Sequence, residues 1–455
     1  MDREVARRAG NVHRGAIRTG QHTSRHDRGA QPRSDRTGGD PVVRLQPPGG
    51  CATACAPIAT LRSCIVPEGG FAVIDPQFIA SSPAEIGLDA GRLQRLYDYV
   101  EQQVAAGLPS AQVAIGRHGR VAEVRTFGTV TRGGVTGPAT DDTLYCLYSA
   151  AKGTTGVGAW ALIEDGLLRL DERVADIVPE FAGLGKDDIT VEQLLTFTSG
   201  FPQAPMHPRL WEDRAARLER IKGWRLNWEP GTRYEYHATS AHWVLAEIMT
   251  YRTGLDFRDY VRTRLYDPMG VPDLHLGVPD ELHARVANVV YVDAPAQPEN
   301  GWGETNPDTV LHFNQPSQRR AGCPSAAAFA GAGDLALFYQ RLVSPSESGA
   351  YSALRPETIA YATKTRTQEW HHDGALPVNR GLCVVVAGDH PAERGFGAHA
   401  SPRAFGHGGA GGQIAWGDPD TGLSVGFCTN GFVSAERIRE RGRTISTLAA
   451  ECLAD

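Results

Sequence analysis

The feature that most constrains this chain is where its strand-like segments fall. Apolar and β-branched runs lie near both ends, at 111–116 and 121–127 on one side and at 381–388, 412–416 and 423–429 on the other. Between them, from Ser149 to about Gly270, the apolar residues recur at helical spacing. Arg117-His118-Gly119-Arg120 reads as the turn of a hairpin, and Asp418-Pro419-Asp420-Thr421-Gly422 as the turn joining the last two strands. The sheet must therefore be assembled from both ends of one domain. The expected architecture is an α/β sandwich (α+β in the sense of layers): an antiparallel sheet flanked by helices, with a mainly helical subdomain inserted. The sheet part is expected at about 71–148 and 330–455, and the helical part at about 149–329. Asp89 is placed to cap a helix with the stripe Leu93, Leu96, Tyr97, Val100 and Val104, and Thr190 to Gln193 form a capping box before Leu194. A closing helix is expected from about Ala435.

With 455 residues and 41% apolar content the chain can bury a sizeable core. A net charge of −6 offers no basic face for nucleic acid, so nucleic-acid binding is set aside. No apolar run spans a bilayer, because the richest helices carry charges such as Glu164, Asp165 and Glu247; no transmembrane segment is expected. Only four of the 46 basic residues are lysines, which suggests a GC-rich bacterial genome. The eight cysteines lack paired spacing for zinc, and most of them read as buried thiols. Residues 1–70 hold ten arginines before position 45 and few large apolar residues, so a disordered Arg-rich segment is expected there, or upstream sequence translated from an early start. The segment has no apolar stretch of a secretory signal, and a cytoplasmic location follows as the expectation.

The chemistry concentrates at Ser149-Ala150-Ala151-Lys152-Gly153. This stretch follows the apolar run 144–148 and precedes Val157, Trp160, Ala161 and Leu168 at helical spacing, so Ser149 should open a helix with Lys152 one turn behind. A serine hydroxyl is a poor nucleophile until a base and oxyanion donors are supplied. An S-x-x-K stretch alone is weak support, since a serine opening a helix is by default a cap. Four further segments follow in order: Leu194-Leu195-Thr196-Phe197-Thr198-Ser199-Gly200-Phe201-Pro202, Pro230-Gly231-Thr232-Arg233-Tyr234-Glu235-Tyr236, Gly333-Asp334-Leu335-Ala336-Leu337-Phe338 and Gly406-His407-Gly408-Gly409.

Together the five resemble the serine β-lactamase-related hydrolases, which include class C β-lactamases, DD-peptidases and esterases of the same fold, over about residues 80–450. The resemblance implies catalytic roles for Ser149, Lys152, Tyr236 and His407. Tyr236 would be the general base or its partner, and a lysine ammonium at hydrogen-bonding distance would favour its phenolate. It implies an oxyanion hole from the N–H groups of Ser149 and Ala410, and a substrate-binding strand edge at Gly408 and Gly409. His407 is expected to donate a hydrogen bond to the substrate or to the serine–tyrosine pair. Ala238 stands where the family pattern has an amide-recognising asparagine, and Phe197 where it often has histidine. His237 or Ser240 could replace the amide, but a surface or packing role is the commoner one for each.

Gly422-Leu423-Ser424-Val425-Gly426 fits a nucleophile elbow in letters only, because it runs from a turn into a strand with no helix behind it. Trp370-His371-His372-Asp373 lacks the spacing of a metal site and reads as loop, so no metal site is expected. The leading expectation is a carboxylic ester hydrolase or transesterase that works through an acyl-enzyme, takes a small-molecule ester or acyl substrate and needs no cofactor. A β-lactamase or DD-peptidase is the alternative, and a non-catalytic binding module of the same fold the alternative from another class.

Overall fold

The structure is a computed structural model, and it describes residues 74–295, 307–372 and 376–454. The Arg-rich start, its three cysteines and Asp373 lie outside the described residues.

The sheet does close from both ends. Its strands run in the order Val385–Val386, Phe405–Gly406, Ile414–Asp418, Leu423–Thr429, Ser110–Arg117, Arg125–Arg132 and Val135–Pro138, with Arg120–Val121 as a short extra strand on Ser110–Arg117. Every neighbouring pair is antiparallel. The central seam pairs Ala111 with Thr429, Val113 with Phe427 and Ile115 with Val425, so segments from opposite ends of the chain share one ladder. Strand Leu423–Thr429 is buried along its whole length, which explains its unbroken apolar run.

Helices cover both faces. Helix Ala90–Ala105 begins at Asp89, whose carboxylate accepts from the Arg92 N–H at 2.7 Å, and it lays Leu93, Leu96, Tyr97 and Val100 on the outer face. The closing helix Ala435–Glu451 adds Ile445 and Ala449 to the same layer, against Val113, Ile115, Trp416 and Phe427. On the inner face lies helix Ala332–Val343, so close that a Cβ at Gly426 would strike the Ala332 carbonyl. Behind it a larger core gathers the helical middle, including the central helix Ala151–Glu164 and helix Ser240–Thr253. Both capping signals read from the sequence are present, the Thr190–Gln193 box included.

Three strand expectations need correction. The return of the hairpin is not one strand over 121–127: it pairs at Arg120–Val121, leaves the ladder, and resumes at Arg125–Arg132. Gly116 faces Val121 and Val113 faces Arg125, so three residues, 122–124, oppose two. That is a bulge, stabilised where Ala80 N–H donates to Val121 O and Tyr97 donates to Glu123 O. The expected strand at 381–388 shrinks to Val385–Val386, because the backbone before it bonds to helices instead. Leu382 N–H reaches Ala362 O, Cys383 N–H reaches Leu195 O, and Trp160 donates to Leu382 O. The strand expected over 412–416 begins at Ile414, since Gly412 N–H closes a turn onto Gly409 O. His371–His372, expected in a loop, pairs with Leu376–Pro377 as a two-residue ladder.

Among the described residues no helix is long and apolar enough to cross a membrane, and no group of three or more His, Cys, Asp or Glu side chains is arranged to hold a metal ion. All five described cysteines are buried, and Cys146, Cys383, Cys428 and Cys452 are free thiols.

Asp334, in the first turn of the inner helix, is buried with Asp273, whose N–H it accepts at 3.1 Å. Asp273 is itself gripped by Arg285 through both oxygens. Burial first, then the Asp273 charge, push the Asp334 carboxyl up to about 7. The folded chain then holds this proton between the unfolded value near 4 and about 7, so the contribution favours folding below that window and is lost as pH rises through it. Asp334→Asn keeps the acceptor for Asp273 N–H and removes the ionisation. We expect it to raise the melting temperature at pH 8 by more than at pH 5 in calorimetry; an equal change at both would contradict the assignment.

Candidate active site

The central helix is entered through a single tight turn, Tyr148–Ala150, and Ser149 lies in that turn without capping the helix. Tyr148 has φ +47, a left-handed backbone that a bulky side chain adopts only under constraint. The constraint is visible: its hydroxyl donates to Val310 O at 2.9 Å, and its ring meets Phe313 and Phe432 edge to face. Within Thr143 to Leu162 every residue is buried except Ser149, so the turn presents one side chain to the outside.

Lys152 is fully buried beneath it. Its amine donates to Ala238 O at 2.6 Å and Ser325 O at 3.3 Å, and lies 3.4 Å from Ser149 Oγ. Two carbonyls can only accept, so two of its hydrogens are committed, and the third direction points at the serine. Tyr236 stands alongside, with Lys152 Nζ 4.9 Å from the centre of its ring. The expected lysine–phenol hydrogen bond is therefore absent: the amine is satisfied by backbone carbonyls and meets the ring face. Tyr236 Oη is buried with no partner among the described residues.

His407 closes the far side, its ring centre 6.0 Å from that of Tyr236. Its Nδ1 lies 2.8 Å from Gly408 O, so Nδ1 carries the proton and Nε2 is an acceptor. Burial, then the charges of Arg380 and Lys152, hold the ring neutral well below its ordinary value. This corrects the expected donor role: the buried Nε2, which has no partner, can receive a proton bond from Tyr236 or a substrate N–H or O–H but cannot give one.

The loop after His407 packs on the serine turn. A Cβ at Gly409 would collide with the Leu147 carbonyl and the Gln413 side chain, so only glycine permits this approach. Gly409 N–H donates to Gln413 O and Gly411 N–H to Gln413 Oε1, which fixes the loop. Ala410 is exposed at its tip, and its N–H has no acceptor among the described residues. A buried amine, a half-buried serine and an N–H with no acceptor among the described residues meet on one rim, an arrangement suited to acyl transfer.

The family model described as beta-lactamase matches residues 96–449. The chain belongs to the beta-lactamase family. A candidate D-alanyl-D-alanine carboxypeptidase of Escherichia coli K12 is 25% identical over 386 residues, covering 78% of this chain and 86% of that protein. A penicillin-binding protein homologue from Caulobacter crescentus is 28% identical with a TM-score of 0.66, over 81% of this chain and 99% of that one. A family VIII carboxylesterase superposes with a TM-score of 0.68 at 23% identity, over 81% of this chain and 99% of that one. The protein thus has the serine hydrolase fold of the beta-lactamase family.

The structure brings Ser149, Lys152, Tyr236, His407 and the Gly408 to Ala410 loop to one place. It puts His237 and Ser240 elsewhere. Both are buried: His237 Nε2 meets Ser199 Oγ at 3.1 Å and Phe201 N–H at 3.3 Å, and Ser240 donates to Phe201 O. They fasten the 199–201 backbone and offer nothing to a substrate amide. Ser424 is a buried strand residue that donates to Ala336 O and accepts from Gln340, which rules out the elbow. No motif signals Ser325, which acts through its carbonyl, or Arg380, whose guanidinium lies 5.4 Å from the Tyr236 ring centre.

Gly409→Ala is expected to displace the loop and lower hydrolase turnover about 100-fold or more. At Gly408 an added Cβ would make only ordinary contact, 3.6 Å from Gln413 O, so Gly408→Ala should cost far less. Parallel rate and melting measurements check this, and equal losses in the two variants would contradict the packing argument.

Proposed function

We propose that the protein hydrolyses carboxylic esters through a covalent acyl-enzyme on Ser149. The observation that carries this reading is the isolation of Ser149 as the one outward side chain in a buried stretch, with Lys152 Nζ 3.4 Å behind its hydroxyl. Tyr236, acting as its phenolate with the Lys152 ammonium against its ring face, takes the serine proton and becomes the neutral phenol as the bond from Oγ to the acyl carbon forms. The carbonyl oxygen becomes an oxyanion and turns toward the N–H groups of Ser149 and Ala410. Collapse breaks the bond to the alcohol oxygen, which leaves with the proton held by Tyr236. Water then repeats the cycle: its proton passes to Tyr236, its oxygen joins the acyl carbon, and Ser149 departs with that proton restored. An alcohol in place of water gives transesterification.

The ester reading over a β-lactam or peptide reading rests on position 238. Ala238 gives its carbonyl to Lys152, and its side chain is only a methyl group, with no amide to offer. An alkoxide leaving group asks for nucleophile, base and oxyanion donors alone. A β-lactam side-chain amide needs a partner as well, and leaving it unpaired costs about 1–3 kcal/mol, roughly ten- to hundredfold in rate. The fold likeness to a carboxylesterase is consistent with this choice.

The test compares kcat/KM for a short-chain p-nitrophenyl ester with that for nitrocefin on one preparation, with Ser149→Ala as background. The ester should be favoured at least about tenfold, and Ser149→Ala should lose about a thousandfold or more. Ala238→Asn should raise nitrocefin turnover and leave ester turnover intact. A higher value for nitrocefin in the parent would move the assignment to β-lactam chemistry, toward the penicillin-binding likeness in the name of the Caulobacter relative.

A further inference from the structure

Arg380 sits on the turn that precedes strand Val385–Val386, with only 7% of its surface exposed. Its guanidinium carbon lies 5.3 Å from the ring centre of Phe197, 5.9 Å from that of Tyr234 and 5.4 Å from that of Tyr236. Nε donates to Tyr234 Oη at 3.1 Å, while Nη1 is buried with no hydrogen-bond partner among the described residues. Arg217 and Arg285 are also buried but meet Glu247 and Asp273. Arg380 meets no carboxylate among the described residues. The nearby Glu192 is engaged by Arg366, and Glu235 by Arg233 and Trp228.

We infer that Arg380 is a positioning residue for acyl transfer, which fixes the Tyr234 to Tyr236 segment and supplies the second positive charge facing Tyr236. The inference rests on the ester-hydrolase reading above. Every element packed around that ring contributes to the charge balance. The central helix brings the cation Lys152, helix Ser240–Thr253 brings His242, the strand edge brings His407, and the turn of Arg380 itself brings Cys383. Burial first, with the repulsion of the two cations, keeps both histidines neutral, and burial keeps the thiol protonated. Among the described residues two cations and no unpaired anion therefore face the phenol, in a site where burial weakens screening. Negative charge that forms on Tyr236 or on the oxyanion is favoured there. Through the Tyr234 bond the same side chain also holds the segment that brings Ala238 O to Lys152.

The experiment uses the full chain and records ester kcat and KM, and the rate of fluorophosphonate labelling at Ser149, from pH 5.5 to 9.5, with melting temperatures alongside. In Arg380→Gln, kcat and labelling at pH 7 should fall about 10- to 100-fold, and the acid limb of both profiles should move up by about one to two pH units, the scale of losing a neighbouring opposite charge. KM should stay within about threefold, since the effect is on the transition state. Arg380→Lys keeps the charge and should keep the limb in place. A merely structural arginine would lower amplitudes without moving the limb, so an Arg380→Gln profile that overlays the parent's after scaling overturns the inference. If Arg380→Gln does not fold, Arg380→Lys decides: a limb shifted upward despite the retained charge overturns it, and an unmoved limb supports it. A parent that is not labelled at Ser149 overturns the ester-hydrolase reading and this inference together, whereas a labelled parent with an unmoved Gln variant overturns the inference alone.

Discussion

The site depends on one buried amine. Lys152 reaches Ala238 O, 86 residues on, and Ser325 O, 173 residues on, while standing one helical turn behind Ser149. A buried amine without partners is costly, so each of these segments must arrive for the others to be stable. The helix that carries it has little intrinsic preference to form: Gly153, Thr154, Thr155, Gly156 and Gly158 are poor helix formers, and nearly all of its residues are buried. Packing holds it. The glycines admit neighbours, with Cys383 against Gly156 and Met249 against Gly158.

Strain gathers at the same place. Tyr148, Phe197 and Cys383 are non-glycine residues at φ +47, +63 and +65. Such conformations cost about 1–3 kcal/mol each and persist only where surroundings fix them. Tyr148 sets the turn that lifts Ser149 out of the core. Phe197 stacks on His237 and meets Tyr236 edge to face at 5.5 Å, making it the wall against which the tyrosine rests. Cys383 is held by its N–H to Leu195 O, which fixes the turn that bears Arg380. The sheet gives these turns a rigid base because its central ladder joins the two ends of the domain.

What could be read from the sequence follows from how local each signal is. The Asp89 cap, the Thr190 to Gln193 box and strand Leu423–Thr429 each depend on side chains a few residues apart, and each stands where the pattern puts it. The bulge at 122–124 depends on Ala80 and Tyr97, which come from outside the hairpin. The shortened strand at Val385–Val386 depends on helices far away in sequence. Within the site, the proximity of Ser149, Lys152, Tyr236 and His407 was legible through motif order. The lysine's carbonyl partners were not, because any residue has a carbonyl. Nor was the tautomer of His407, which is set by a single backbone oxygen.

The central claim, a covalent acyl-enzyme on Ser149, the one side chain of the turn that is not buried, is tested most directly by mass spectrometry. The protein is mixed with a p-nitrophenyl ester, quenched in acid during turnover, and mapped by peptide. The account predicts a single added acyl mass on the peptide containing Ser149, absent from Ser149→Ala. An adduct on another residue, or steady turnover in Ser149→Ala, would contradict it.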